Sequence, residues 1–300
     1  MSTAEKLGYT PEDRLLIINA DDFGMCHSFN KGIQQLLSEQ VISSATLMMP
    51  CPWVREAALW SAAHPQYDIG VHLTLTSEWE FYRWGPVNRN GETASLVTAE
   101  GYFPADCKSV ELNADTDQVK AELIRQIEFA KQLGVDPTHL DNHMGSVYGR
   151  ETGRHFLDTV LDLCAHYRLP FRLPRSTFGV DIPPEMEHMA AALAQLADER
   201  GVLILDYLLG LPFQTETPQT YAEVRADMAD LLRNLRPGVT EIIIHPSQAT
   251  DELKAIMPVW ERRAMEFELF RDPAIQHILQ KENIQLIHWK DLREAQRAVK

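Results

Sequence analysis

The chain has 300 residues, with 43 acidic against 28 basic side chains and a formal net charge of −15. Its hydrophobic fraction of 45% and charged fraction of 24% are those of a soluble globular protein, long enough for one large barrel or two ordinary domains. The acidic balance speaks against nucleic acid and anionic membranes as partners, no apolar run approaches the roughly 20 residues of a bilayer span, the first residues lack a hydrophobic signal region, and four scattered cysteines suggest neither a zinc knuckle nor a disulfide framework, so a cytoplasmic location is expected.

Residues 1–13 read as a loose lead-in, and 14–300 as a single domain. Leu15-Leu16-Ile17-Ile18 reads as a buried strand that ends in Asp21-Asp22-Phe23-Gly24. Adjacent carboxylates at the end of a core strand repel each other and cost desolvation energy, which a cation relieves. A helix N-cap accounts for one Asp but not for two. Residues 28–40 read as a helix with Ile33, Leu36 and Leu37 on one face, 42–49 as a strand, 53–63 as a helix and 68–75 as a strand carrying His72 near its end. This β-α-β-α-β alternation predicts parallel strands with right-handed crossovers.

A long insertion at about 77–113 follows the third strand. It holds Trp79, Phe81, Tyr82, Trp84, Tyr102 and Phe103. It reads either as a platform for the apolar face of a sugar or as a subunit contact, which makes a homodimer a candidate. The alternation resumes with a helix at 117–133 and a strand at 137–143 ending in Asp141 and His143. A helix at 154–166, a short strand at 170–174 containing Arg172, a helix at 186–199 and a strand at 202–206 come next. A helix at 221–235, a strand at 241–246 carrying His245, a helix at 259–270 and a last strand at 284–287 before a polar tail complete the series. Seven or eight strands, each usually followed by a helix, predict an α/β fold: one (β/α) barrel, incomplete or distorted.

Four of these strands place Asp or His at their C-terminal ends, where parallel α/β folds gather function. Asp22, His72 and His143 make a two-histidine, one-carboxylate metal site, the donor set of a catalytic ion that keeps a position open. Asp141 shares a strand face with His143 and suits the second ring nitrogen of a ligand histidine. Neighbours on a regular strand face opposite ways, so Asp21 and Asp22 reach one site only if the chain bends, which Gly24 permits. Asp21 is then left as a base for a metal-bound water. His245, held extended by Pro246, is the candidate general acid. Arg172 either pairs with Asp21, holds substrate or makes a surface ion pair. One divalent ion is expected: the histidines suit zinc, iron or cobalt, and a carboxylate with waters suits magnesium.

The stretches Asn19-Ala20-Asp21-Asp22-Phe23-Gly24, Gly70-Val71-His72-Leu73-Thr74, Thr138-His139-Leu140-Asp141-Asn142-His143 and Glu241-Ile242-Ile243-Ile244-His245-Pro246 resemble, in order, the motifs of the YdjC-like carbohydrate deacetylases. Arg263 and Glu266 resemble an Arg-x-x-Glu segment near that family's C-terminus. The resemblance spans about 14–290. It implies a (β/α) barrel that removes N-acetyl groups from amino sugars with a divalent metal on Asp22, His72 and His143, the base on Asp21 and the proton donor on His245. Two features depart from the chitooligosaccharide members: His143-Met144-Gly145-Ser146-Val147-Tyr148 replaces a histidine-rich run, and the aromatic insertion is added. The expected reaction is hydrolysis of an N-acetyl amide in a sugar substrate. The rival readings are a metal-dependent sugar isomerase or phosphoesterase on the same barrel, which releases no acetate, and a non-catalytic sugar-binding protein, which shows no metal-dependent turnover.

Overall fold

A computed structural model describes residues 2–298 apart from 90, 177, 179–183 and 214–216, with the backbone alone at 184–188. Nine strands are present among the described residues: β1 (Arg14–Phe23), β2 (Ser44–Leu47), β3 (Asp68–Leu73), β4 (Leu140–Asn142), β5 (Phe171–Pro174), β6 (Ile204–Leu205), β7 (Tyr207–Gly210), β8 (Gly238–Ile244) and β9 (Ile284–Leu286). Every pairing is parallel. Eight strands run in the order β6-β5-β4-β3-β2-β1-β8-β7. The two ends of that path, β6 and β7, are separated in the chain by Asp206 alone, so the sheet is a nearly closed barrel with one seam. Asp206 stitches the seam: its N–H donates to Val239 O (2.9 Å), its carbonyl accepts from Ser176 N (3.1 Å) and its carboxylate accepts from Val239 N (2.8 Å). The strand expected at 202–206 is therefore two pieces, and its continuation as β7 pairs with β8.

β1 sits at the centre of the assembly. β8 pairs with one edge from Arg14 to Ala20, while β9 (from Arg14) and β2 (from Asn19) share the other. Leu15, Leu16, Ile17 and Ile18 are all buried, as their unbroken apolar run requires in a strand covered on both faces. Helices cover the outside, among them His27–Ser38, Val54–Ala63, Thr116–Gln132, Leu157–Tyr167 and Tyr221–Arg233.

Three segments are more ordered than the sequence suggests. In the lead-in, Thr3–Lys6 is helical with a Ser2/Glu5 capping box, and its Ala4 is buried. The polar tail is a helix, Trp289–Ala298, whose Trp289 and Leu292 are inaccessible to solvent. The insertion contains a 3-10 turn at Ala94–Leu96 and a helix at Cys107–Asn113. It is tied to the outer helix by the buried Glu122 carboxylate, which accepts from Val87 N (3.0 Å) and Asn88 N (2.9 Å). All four cysteines are free thiols. No helix among the described residues is long and apolar enough to cross a membrane.

Candidate active site

The candidate side chains lie within the strands or just beyond their ends. Asp21 and Asp22 close β1, His72 lies in β3, Asp141 in β4 with His143 just beyond it, Arg172 in β5, and Glu241 in β8 with His245 just beyond. The Asp pair faces one site because β1 bulges. Ala20 pairs with Ala45 and Phe23 with Leu47, so three residues on β1 advance against two on β2. The bend falls on Asp22 itself, at φ 68°, and continues into Gly24 at φ 97°. A non-glycine residue in the left-handed region is strained and persists where its surroundings enforce it.

Arg172 is the centre of a buried charge network. Its guanidinium is 2% exposed and grips Asp21 with two prongs, Nη1 to Oδ2 at 2.7 Å and Nη2 to Oδ1 at 2.6 Å. Nη2 also lies 2.7 Å from Asp141 Oδ2, and Nε lies 2.5 Å from Glu241 Oε1. Thr46 Oγ1 donates to Asp141 Oδ2 (2.9 Å) and Asn19 Nδ2 donates to Asp21 Oδ1 (2.8 Å). From below, Trp289 Nε1 donates to Glu241 Oε2 (2.7 Å). The role of Arg172 as a surface ion pair is thereby excluded, since it is a core residue paired with Asp21.

His72 and His143 each have Nδ1 anchored by a hydrogen bond and Nε2 left free of one. His72 Nδ1 lies 2.7 Å from Asp141 Oδ1. An ionised carboxylate only accepts, so Nδ1 carries the hydrogen and Nε2 is left for the site. That Nε2 is 3.6 Å from Asp22 Oδ1 and 3.8 Å from Asp21 Oδ2. His143 Nδ1 is hydrogen-bonded to Thr76 Oγ1 (2.8 Å), and its Nε2 lies 3.4 Å from Glu78 Oε1. The two rings stand edge to face with centroids 5.5 Å apart. His143 is in a 3-10 turn, not on the strand, so Asp141 serves His72 across the sheet and not its own neighbour. His245 Nε2 is 4.0 Å from Asp21 Oδ2, while its Nδ1 lies 3.9 Å from Glu266 Oε2. Glu266 accepts from His245 N (2.6 Å) and from Arg263 Nη1 (3.2 Å).

Proton affinities follow these neighbours. Burial opposes ionisation of Asp21, but the Arg172 guanidinium together with His72 and His245 outweighs it and holds the carboxyl well below its usual range. Burial raises Asp22 despite the nearby His143 and His72. Burial disfavours charge on His72, yet Asp141, Asp21 and Asp22 overcome it and carry the ring up to about 9. His143 is also raised, Glu78 outweighing burial. Burial and then Arg263 push His245 well below 6.5, so it is neutral at pH 7. Burial lifts Glu241 to about 8 against the pull of Arg172.

Asp21, His72 and Asp141 offer donor atoms within 4.8 Å of one another, a group able to hold a metal ion. Asp22 Oδ1 is buried and has no hydrogen-bond partner among the described residues, and neither has Glu78 Oε2. The aromatic insertion divides in two. Trp84 and Phe103 are core residues, Trp84 packing against His143 at 6.1 Å and donating from Nε1 to Thr76 O (2.7 Å), whereas Phe81 and Tyr102 are exposed. Asn90, which belongs to the same segment, lies outside the described residues.

Sequence reasoning did not assign Glu241, Thr46 or Glu78 to the site. Glu241 carries a usable signal, since a carboxylate opening an Ile-Ile-Ile run must find a partner in the core. Glu78 carries none.

A family model described as YdjC-like protein matches residues 15–281. The chain is 30% identical to a carbohydrate deacetylase of Thermus thermophilus over 98% of its length and 99% of that protein. It is 36% identical to a chitooligosaccharide deacetylase of Yersinia enterocolitica over 44% of its length and 49% of that protein. A crystal structure of a candidate cellobiose-phosphate cleavage protein from Enterococcus faecalis V583 superimposes with a TM-score of 0.75 at 26% identity, covering 93% of this chain and 99% of that one.

Proposed function

The chain belongs to the YdjC-like protein family, and on that premise we propose that it is a carbohydrate deacetylase that hydrolyses the N-acetyl amide of an amino sugar or oligosaccharide with one divalent metal ion. The observation that carries this reading is the buried, unpartnered Asp22 Oδ1 lying 3.6 Å from His72 Nε2, with the His143 ring 5.5 Å from that of His72 and an Arg-locked aspartate beside them. Asp22, His72 and His143 would hold the ion. The alternative set of Asp21, His72 and Asp141 fits less well, because the Arg172 guanidinium lies on both of its carboxylates and repels a cation placed between them. Asp22 Oδ1 lacks any such competitor. The imidazoles favour zinc, cobalt or iron over magnesium.

When bound, the ion supplies Lewis acidity for the acetyl carbonyl and for the attacking water. Asp21 is charged throughout the neutral range, and Arg172 fixes both of its oxygens, so it presents a positioned acceptor for the water's proton. His245 is neutral at rest and must acquire the proton it gives to the leaving amine. Asp21 Oδ2, 4.0 Å from His245 Nε2, is the nearest source. One proton thus travels from water to Asp21, to His245 and to the amide nitrogen as the C–N bond breaks, leaving acetate and the amine. His245 is the more open of the two, with its side chain 22% exposed against 4% for Asp21, which suits the group that meets the leaving sugar.

The test is acetate release from a panel of N-acetylated mono- and oligosaccharides by metal-reconstituted protein, with and without chelator. Chelator-sensitive acetate from any member supports the reading. Bound metal with no acetate across the panel rejects it in favour of isomerase or phosphoesterase chemistry.

A further inference from the structure

The segment that leaves β3 for the insertion passes His143 twice. Thr76 Oγ1 is 2.8 Å from one ring nitrogen and Glu78 Oε1 is 3.4 Å from the other. The first distance is a hydrogen bond. The second is too long for a charge-assisted one, which spans about 2.7–2.9 Å. It is an ion-pair distance, and it also matches the spacing of two donors on one ion: ligands bonded at about 2.1 Å to a tetrahedral centre lie about 3.4 Å apart. Asp22 Oδ1 and His72 Nε2 repeat that spacing at 3.6 Å. The two pairs share a further property, because Asp22 Oδ1 and Glu78 Oε2 are both buried without a hydrogen-bond partner among the described residues. Buried carboxylate oxygens with no donor are costly, and a cation drawn between the two pairs would relieve both.

We propose that Glu78 is a fourth protein ligand to the divalent ion, delivered by the insertion, an assignment that rests on the metal site read above. Four protein ligands would close a tetrahedral ion to substrate, so one must give way. Glu78 is that one. The other three come from strand ends, whereas Glu78 stands on the insertion, and its side chain is the most exposed of the four, at 19% against 10% for Asp22, 6% for His143 and 1% for His72. Glu78 would therefore mask the position offered to the acetyl oxygen, and its bond to the ion would hold the entrance of the insertion to the barrel.

The experiment strips the full chain with chelator and titrates it with Co²⁺, reading affinity by calorimetry and ligand set by visible absorption. Wild type, Glu78→Gln, Glu78→Asp and His143→Ala are compared, with circular dichroism of each metal-free protein as the check on folding. Glu78→Gln is expected to bind one Co²⁺ at least about tenfold more weakly and with an altered visible spectrum. Glu78→Asp, which keeps the carboxylate, should recover part of both. Wild-type affinity and spectrum in Glu78→Gln, alongside lost binding in His143→Ala, would overturn the role of Glu78 and leave the three-ligand site standing. Absence of Co²⁺ binding by the wild type would overturn both.

Discussion

Arg172 and Asp21 meet through both oxygens of the carboxylate and both terminal nitrogens of the guanidinium, at 2.7 and 2.6 Å, in a place sealed from solvent. A carboxylate held at two points cannot rotate, so its remaining lone pairs keep a fixed direction. Asp21→Asn keeps the shape, removes the charge and sets an amide against the guanidinium. Acetate release is expected to fall at least about 100-fold with metal content unchanged by elemental analysis. Near-normal turnover would remove Asp21 as the base.

His72 and His143 should each be needed to retain the ion. Either one changed to Ala is expected to lower the metal content of reconstituted protein and to lower turnover with it. Unchanged content in either variant would strike that residue from the ligand set.

Metal affinity should rise with pH. His72 is carried up to about 9 in the metal-free chain, so a cation displaces a proton over most of the neutral range and binds more tightly as pH approaches 9. The same shift acts on stability. Its folded value stands above the ordinary 6.5, so its contribution is complete below about 6.5 and is lost as pH rises through about 9. Urea denaturation in the presence of chelator should show metal-free protein weakening across this window, by an amount on the order of 3 kcal/mol at most. A flat profile would contradict the charge assignment of His72.

Gly70 should tolerate no side chain. A Cβ there would stand 2.5 Å from Cε1 of His139, whose buried ring is stacked on Trp289 with centroids 4.7 Å apart. Gly70→Ala is expected to destabilise the protein by about 1–3 kcal/mol in urea denaturation. An unaltered midpoint would show that the His139–Trp289 stack yields.

Residues whose environment is set by their own strand were readable in the sequence. The apolar run before Asp21 gave the central strand, and Asp141, expected to hold a histidine by its second ring nitrogen, does pair with one. Its partner is His72 because β3 and β4 place His72 opposite Asp141, a register that only the sheet reveals. The bend expected from Gly24 begins two residues earlier in the backbone, at Asp22, where no residue preference announces a left-handed conformation. The helix at Trp289–Ala298 resembles a tail because few of its residues are apolar, yet Trp289 and Leu292 pack in a buried cluster with Leu15 and Ile17, and Trp289 bonds Glu241. Glu78 is invisible for a similar reason: its meaning comes from where the insertion returns to His143, and that is a tertiary fact.

The pairing of β1 has a consequence for how the chain reaches this state. The strand that ends in Asp21 and Asp22 finds β2 soon after synthesis, but its partners on β8 and β9 begin at Gly238 and Ile284. Contacts between residues so far apart in sequence form slowly, and until they form, Leu15 to Ile18 present bare apolar backbone edges. A ribosome must emit most of the polypeptide before this edge is covered. The strand that carries Asp21 and Asp22 is exposed to misassociation on the way, and holdase chaperones should meet the nascent chain there.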